Sequence, residues 1–211
     1  MKFLSYGSAG VLAVSLLSSS AFANPAGAQG NSGKQGMTCT TCHTAGASVP
    51  TVEISGPATL NPGETGQYAF IIRGGPAKVG GTNIAVSNTE AVLAPATNSG
   101  LRPVGSGELT QTSPKAFNGT EVRFDFTLKA PASTGTVSIF AAGNSANGNA
   151  TGSGAGASGD GIATTKLDVT VNAATTPGND EDKGCSATGG APMLGLALSA
   201  LAMTRFRRRR S

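Results

Sequence analysis

The chain has few of the residues that enzymes rely on. Its 211 residues include no tryptophan, two tyrosines and a single histidine, His43. Because that histidine lies in a cysteine cluster, no Ser-His-Asp triad can be assembled elsewhere in the chain. No glycine-rich phosphate loop follows a strand and opens a helix. We therefore expect a non-enzymatic protein whose core is built from Val, Ile, Leu and Phe.

Positive charge is also scarce in the middle of the chain, away from its two ends. The sequence has 15 Lys and Arg against 11 Asp and Glu, a formal net charge of +4. Lys2 lies at the beginning of the chain, and Arg205 and residues 207–210 lie at its end. Without these cations the remainder has a net charge of about −2 and no basic patch interleaved with aromatic residues. We therefore expect no nucleic-acid partner.

Residues 1–23 are predicted to be a signal peptide. Lys2 forms a short positive segment, residues 3–17 are moderately apolar, and Ala21-Phe22-Ala23 is a small-x-small cleavage site. We expect an exported protein whose mature form begins near Asn24 and lies outside the cytoplasm.

Residues 185–211 have the pattern of a surface-anchoring tail. A weakly apolar stretch from Ala191 to Met203 precedes the terminal arginines, which stay on the cytoplasmic side because Arg is costly to move into hydrocarbon. The stretch contains Pro192 and is shorter than the about 20 apolar residues of a stable span. We expect a transient sorting helix. An ordinary membrane-spanning helix is the alternative and gives the same topology.

The tail also resembles a known signal. Cys185 in a Gly-Cys-Ser context, the apolar stretch and the arginine cluster resemble the MYXO-CTERM sorting signal of myxobacterial and related surface proteins. The resemblance implies cleavage near Cys185 by a sorting protease. It also implies attachment of the mature protein to the membrane or outer surface of the cell.

Apolar and polar residues alternate through the middle of the chain. A strand with this period buries one face, and about seven such segments are separated by Gly and Pro turns. No sustained 3.6-residue period is present, so we expect almost no helix there. The predicted fold class is all-β, an immunoglobulin-like antiparallel β-sandwich over residues 51–172, with a signal helix and an apolar sorting helix at the two ends of the chain. The apolar positions of the seven segments are Val52 and Ile54; Tyr68, Phe70 and Ile72; Ile84 and Val86; Leu109; Val122, Phe124, Phe126 and Leu128; Val137 and Ile139; and Leu167, Val169 and Val171.

Two segments beside the sandwich have too few apolar residues for a core of their own. Residues 24–50, the lead-in, are small, polar and rich in glycine, so they are expected to be a flexible arm or to be ordered by something other than packing. Residues 173–184 are expected to be a linker between the sandwich and the tail.

Residues 143–161 also contain almost no apolar side chain. The pattern predicts a long connection between strands. The alternative is a cation-binding loop that uses oxygens of Asn144, Asn147, Asn149 and Asp160, although a single carboxylate is few for a tight Ca²⁺ site.

Cys39, Cys42 and His43 form a Cys-x-x-Cys-His motif, the cluster that most strongly indicates chemistry. Two thiols at this spacing reach both vinyl groups of one porphyrin, and the adjacent imidazole ligates the iron. We therefore predict one haem c bound by Cys39, Cys42 and His43, with His43 as the ligand of the haem iron. One alternative is a Cys39–Cys42 disulfide, in which His43 can make the pair redox-active by lowering a thiol pKa. Another is a metal site, which lacks a fourth protein ligand.

The chain between about residues 30 and 172 resembles the bacterial choice-of-anchor V domain, which is similar to the Reeler domain. The likeness rests on the Cys-x-x-Cys-His lead-in, the ISGP, ELTQTSPKAF and APASTGTVSIFAAGN segments, and a late Ser-Gly-Asp. It implies a secreted sandwich that is attached to the surface by a C-terminal device. Members of that family often carry His at the position of Gln111, so this chain departs from them there.

Two functional hypotheses follow. The first is an exported, surface-anchored sandwich with one c-type haem for electron transfer or redox sensing, which requires a redox partner. The second is a non-enzymatic adhesive or structural surface module with a Cys39–Cys42 disulfide, which binds a glycan, a matrix component or a neighbouring cell.

Overall fold

The strand from Glu121 to Lys129 shows how the sequence produces this fold. In the computed structural model, which describes residues 24–149 and 157–173, its four apolar residues Val122, Phe124, Phe126 and Leu128 are fully buried. The residues between them are partly or fully exposed. Every second side chain lies on the same face of the strand, and burying that face requires a second layer of structure. Another sheet forms this layer.

Twelve strands lie in the described residues. They are β1 (Thr44–Ala45), β2 (Thr51–Ser55), β3 (Thr59–Leu60), β4 (Thr65–Arg73), β5 (Val79–Val86), β6 (Val92–Pro95), β7 (Leu101–Val104), β8 (Glu108–Gln111), β9 (Lys115–Ala116), β10 (Glu121–Lys129), β11 (Gly135–Ala146) and β12 (Ser158–Val171). One 3₁₀ turn, Cys39–Thr41, precedes them.

The strands form two sheets. The large sheet has the order β1-β12-β11-β5-β8-β7, with β3 also paired to β12 and β9 to β5. The small sheet has the order β2-β4-β10-β6. Most pairs are antiparallel, while β1 and β3 run parallel to β12. The fold is thus the predicted all-β, immunoglobulin-like sandwich.

The core lies between the sheets and is apolar. Phe70 and Ile72 of β4 and Phe124 of β10 face Ile84 and Ile139 of the large sheet, and all five are fully buried. Because the described core contains no cysteine, it has no disulfide between the sheets, and its stability comes from burial of apolar area.

Tyr68 closes one end of the core. Its ring stacks on Phe126 with the centroids 5.7 Å apart, and its hydroxyl donates to the Pro57 carbonyl at 2.9 Å. Burial, together with the charge of Glu64, raises the pKa of Tyr68 to about 12. The phenol therefore stays neutral through the physiological pH range.

All seven predicted strands are present, and their apolar positions face the core. The prediction for residues 143–161 was wrong in extent: β11 continues to Ala146 and β12 begins at Ser158, so Gly143 pairs with Ala163 and Ser145 with Gly161. Small residues there let the two strands continue as a hairpin although they supply no apolar signal.

The predicted segments at the two ends of the chain lie outside the described residues. These are the signal helix, Cys185 and the sorting helix. Within residues 24–149 and 157–173 no helix is long and apolar enough to cross a membrane.

Candidate functional site

The lead-in, residues 24–50, lies across the large sheet. Arg102 donates from Nη2 and Nε to the Ala26 carbonyl at 2.8 and 3.2 Å. The backbone amide of Gly30 donates to Glu108 at 2.7 Å, and that of Asn31 donates to Asn83 Oδ1 at 2.8 Å. Hydrogen bonds therefore order this segment, which corresponds to the second of the two alternatives that the sequence left open and not to a flexible arm.

Gly27 shows how closely the lead-in approaches the sheet. Its φ is +76°, a conformation that favours glycine, and a Cβ at this position would lie 1.9 Å from Thr110 Oγ1 in β8. A larger residue is excluded both by the backbone conformation and by the contact with β8.

The Cys-x-x-Cys-His motif forms the 3₁₀ turn. Thr38 caps it, with its hydroxyl accepting from the Thr40 amide at 3.3 Å. The Cys39 carbonyl accepts from the amides of Cys42 and His43 at 3.2 and 3.0 Å. This turn places Cys39, Cys42 and His43 on a single tight bend of the chain.

Strand β1 follows the turn directly and fixes His43 against β12. The Thr44 amide donates to the Ala157 carbonyl, and the Gly46 amide donates to the Asp160 carbonyl, both at 2.7 Å. A Cβ on Gly46 would lie 2.8 Å from backbone atoms of Gly159, so glycine is needed for this approach.

His43 and Asp160 form the central contact of the site. Nδ1 of His43 lies 2.6 Å from Oδ2 of Asp160, which is 2% exposed, while His43 is 21% exposed. Oδ1 of the same carboxylate accepts from the Asn147 amide at 3.1 Å. Because a carboxylate only accepts, Nδ1 carries the proton of this hydrogen bond.

Asn144 of β11 covers the face of this imidazole. Its Nδ2 lies 3.0 Å from Nδ1 and 3.3 Å from Nε2 of His43. A donor in the ring plane cannot be this close to both nitrogens, so the amide lies over the ring. Its Oδ1 is buried and has no hydrogen-bond partner.

The two cysteines are free thiols in the structure. The disulfide of the alternative hypothesis is therefore not formed in it. Burial is the main cause that raises the pKa of Cys39 to about 12, and the neighbouring Cys42 adds to the effect. Cys39 is consequently a neutral thiol at physiological pH, which contradicts an activated thiolate at this position.

A cavity of about 50 Å³ separates the lead-in from the large sheet. It brings together the three predicted site residues and Gln111, which are distant in sequence. The side chains that define its chemistry are Asn31, Cys39, Cys42, His43, Gln111 and Asn144.

Gln111, where His is common in the resembled family, cross-links strands. Its Oε1 accepts from the Thr82 amide at 2.8 Å and lies 3.2 Å from the Thr110 hydroxyl, which donates to it. Gln111 lines the same cavity as His43, but it makes no hydrogen bond to Cys39, Cys42 or His43.

The oxygens of the predicted cation loop do not converge. Asp160 is bonded to His43, Asn147 Oδ1 accepts from the Asn149 amide at 3.0 Å, and the amide nitrogens of Asn147 and Asn149 donate to the Ser158 carbonyl. In the part of the chain that the structure describes, no three His, Cys, Asp or Glu side chains are grouped so that they could hold a metal ion.

Sequence reasoning did not place Asp160 and Asn31 beside the motif. The sequence suggests Asp160 only as a cation ligand and as part of the late Ser-Gly-Asp, 117 positions from His43. The only local signal for Asp160 was that it is a lone acidic residue in a glycine-rich segment. The sequence does not show that its side chain is buried, because that burial depends on the pairing of β1 with β12.

The sequence matches no protein-family model, and no curated protein is significantly similar to it. The chain is weakly similar to several solved structures. The CARDB domain of a Pyrococcus furiosus protein, solved with di-metal ions, is 18% identical, with a TM-score of 0.34 over 61% of this chain and 92% of that one. A PKD domain of an M14-like peptidase from a Thermoplasmatales archaeon is 17% identical, with a TM-score of 0.29 over 59% and 98%. These values are too low to indicate a shared function.

Proposed function

We propose that the protein is an exported, cell-surface-anchored and non-enzymatic β-sandwich module with a structural or adhesive role. The observation that supports this most directly is the buried pair between His43 and Asp160. The only histidine of the chain is hydrogen-bonded to Asp160 of β12 and covered by Asn144. These contacts hold the lead-in on the large sheet, which supports a structural role for His43. A general base needs a reacting group within reach, which this covered ring does not offer.

The surface location rests on the two ends of the chain. The signal pattern of residues 1–23 directs export, and the tail from Cys185 is the substrate of a sorting protease that attaches the ectodomain to the membrane or outer surface. The partner of the module is then an extracellular ligand.

The location is tested by expressing the full chain in a bacterium that processes such tails, beside a chain that ends at residue 184. Protease accessibility on intact cells should show the full chain on the surface and the shortened chain in the medium. Recovery of the full chain from the cytoplasm would end this part of the proposal.

The role is tested with Cys39→Ser and Cys42→Ser in the surface-displayed protein. If the module is structural or adhesive, cell–cell or matrix attachment stays within about twofold of the wild type. Loss of attachment in variants that still melt cooperatively would favour a redox function.

A second candidate function is attachment of one c-type haem. It is favoured by the donor set: two unbonded thiols and an imidazole whose Nδ1 is held by Asp160, as expected for an iron ligand with Nε2 free. The cavity beside these groups, about 50 Å³, is smaller than a typical organic-ligand pocket, so a haem would have to lie outside it or displace the lead-in. Haem c therefore stays a prediction, with Cys39, Cys42 and His43 as its residues.

The haem prediction is tested by exporting the chain with and without a cytochrome c maturation system. A Soret band and a mass increase of one haem, both lost in Cys42→Ser, would establish attachment. An apo mass with the maturation system present would exclude it.

A further inference from the structure

Cys39 and Cys42 lie at the two ends of one 3₁₀ turn. The Cys42 amide donates to the Cys39 carbonyl at 3.2 Å, and this backbone hydrogen bond fixes the spacing of the two residues. A 3₁₀ turn rises about 2 Å per residue and eclipses side chains three positions apart, so it sets the two Cα atoms about 6 Å apart. Disulfides span Cα separations of about 4.4–6.8 Å. The turn is therefore already at the spacing of a disulfide, although the two thiols are not joined.

The two thiols also face the same space. Both cysteines line the cavity between the lead-in and the large sheet, and both are half-buried. The charge of Cys42 is one of the causes that raise the pKa of Cys39, so the two sulfurs lie close enough to interact electrostatically. Within residues 24–149 and 157–173 no three His, Cys, Asp or Glu side chains are grouped to hold a metal ion. The reaction partner that the turn offers each thiol is the other thiol.

We propose that Cys39 and Cys42 form a thiol–disulfide exchange site, which an oxidant that itself contains a disulfide converts to an intramolecular disulfide after export. This reaction requires the export that is part of the proposed function, because disulfides persist outside the reducing cytosol. The product is a cross-link within the lead-in, so it serves the proposed structural role.

The disulfide forms in two exchange steps. Burial keeps the Cys39 thiol protonated, so the thiolate of Cys42 attacks first: its sulfur bonds to one sulfur of the oxidant, the S–S bond of the oxidant breaks, and one thiolate leaves. The Cys39 thiol then loses its proton to solvent, and its sulfur attacks the Cys42 sulfur and displaces the second thiolate. The two cysteines lose two electrons and two protons, and the oxidant is reduced to two thiols.

The cross-link should hold the lead-in more firmly on the sheet. Before the turn the lead-in is bonded through the amides of Gly30 and Asn31, and after it through His43 and β1. A disulfide restricts the chain mainly in its undocked state, so closing the turn between these two attachments favours docking.

The first test measures disulfide formation in the exported full chain, purified without a haem maturation system. The protein is equilibrated with mixtures of reduced and oxidised glutathione and its remaining thiols are alkylated. Trypsin then releases residues 35–73, which contain Cys39 and Cys42 but not Cys185. We expect two alkyl groups in reducing mixtures and, in oxidising ones, none and a mass lower by two hydrogen atoms. Two free thiols or stable glutathione adducts in the oxidising mixtures would overturn the proposal.

Single variants test the order of attack. Cys39→Ser leaves Cys42 and Cys42→Ser leaves Cys39, and alkylation of each is followed on the same tryptic peptide. In the folded protein at about pH 8, Cys42 should react at least about tenfold faster, because a buried thiol is rarely a thiolate. In urea the two variants should react at similar rates. Equal rates in the folded protein, or a difference that persists in urea, would refute this order.

Limited proteolysis tests the effect on docking. Oxidation should slow cleavage within the lead-in of the wild type about 3- to 30-fold, a modest gain because the closed loop is short. The double variant, Cys39→Ser with Cys42→Ser, is the matched control and should be cut at the same rate in both glutathione mixtures. Equal cleavage of oxidised and reduced wild type would contradict the cross-link's effect.

These measurements and those of the proposed function give separate answers. Thiol exchange is measured on purified protein, whereas location and attachment are measured on cells. Failure to form the disulfide would leave the surface location intact, and recovery of the full chain from the cytoplasm would end that location without changing the thiol chemistry.

Discussion

The core strand β10 and the lead-in are held in the same sandwich by different interactions: apolar burial holds β10, and hydrogen bonds hold the lead-in. The core strand buries four apolar side chains and contributes no buried charge. The lead-in buries mainly polar groups, and its contact with the large sheet depends on Arg102, Glu108, Asn83 and Asp160. Apolar burial tolerates small shifts in position, whereas hydrogen bonds require particular partners at particular distances. The two regions should therefore respond differently to mutation.

The largest effect is expected in the core. Phe124→Ala should lower the free energy of unfolding by about 3–5 kcal/mol, because it removes a fully buried ring and leaves a cavity. Urea denaturation measures this loss. Val92→Ala, at a side chain that is 54% exposed, is the control and should cost below about 1 kcal/mol. Equal losses would contradict the position of the core.

The next effect separates the lead-in from the core. Gly27→Ala should weaken docking of the lead-in by at least about 1 kcal/mol, since it combines strain at positive φ with a clash against Thr110. Limited proteolysis should cut residues 24–46 faster while the sandwich resists.

Gly36→Ala is the matched control for Gly27→Ala. Gly36 also has a positive φ, +83°, but a Cβ added there would have no neighbouring atom within 4 Å. If both changes accelerate cleavage equally, backbone strain explains the result and the close approach to β8 is not supported.

A smaller effect is expected at the pair formed by His43 and Asp160. Asp160→Asn should weaken docking of β1 by about 1 kcal/mol, because the charge-assisted hydrogen bond that the buried carboxylate accepts from His43 becomes a weaker, neutral one. Hydrogen exchange at the amides of Thr44 and Gly46 reports this directly. Asp125→Asn, in an exposed pair with Arg123, should change protection little. Unchanged exchange in Asp160→Asn would show that the pair does not hold the lead-in.

The effect of Cys39 is absent near neutral pH and is expected only at alkaline pH. Its folded pKa, about 12, is raised above the ordinary value of 9.0, so its contribution is complete below about pH 9 and is lost as the pH rises towards 12. The wild type should lose stability over that window relative to Cys39→Ala, by less than about 1.4 kcal/mol per pH unit for one group. Parallel stability curves between about pH 8 and pH 11 would contradict the raised pKa of Cys39. Tyr68 titrates similarly in both proteins and cancels.

The sandwich was predictable because its long strands repeat a local pattern. Val122 to Leu128 alternate strictly, and each of the seven segments so identified is a strand in the structure. The five further strands, β1, β3, β6, β7 and β9, have two to four residues each, a length at which alternation rarely stands out; the four-residue β8, predicted from Leu109, is the exception. Pairing with longer neighbours stabilises them.

The site was predictable only in part. The spacing of Cys39, Cys42 and His43 is local and visible, but Asp160, Asn144 and Asn31 join them through the parallel pairing of β1 with β12 and the path of the lead-in over β8. No periodicity records such long-range contacts, and a glycine-rich segment with one acid gives the same local signal whether that acid is exposed or buried.

The sequence by itself determined the sandwich, the polar character of the lead-in and the three neighbouring residues of the motif, because each depends on composition or on spacing within a few positions. The tertiary structure alone decided that His43 is bonded to Asp160, that Asn31 and Asn144 have unpaired buried oxygens, and that the shared cavity has a volume of about 50 Å³. These features depend on where distant strands bring side chains together, which no local pattern in the sequence records.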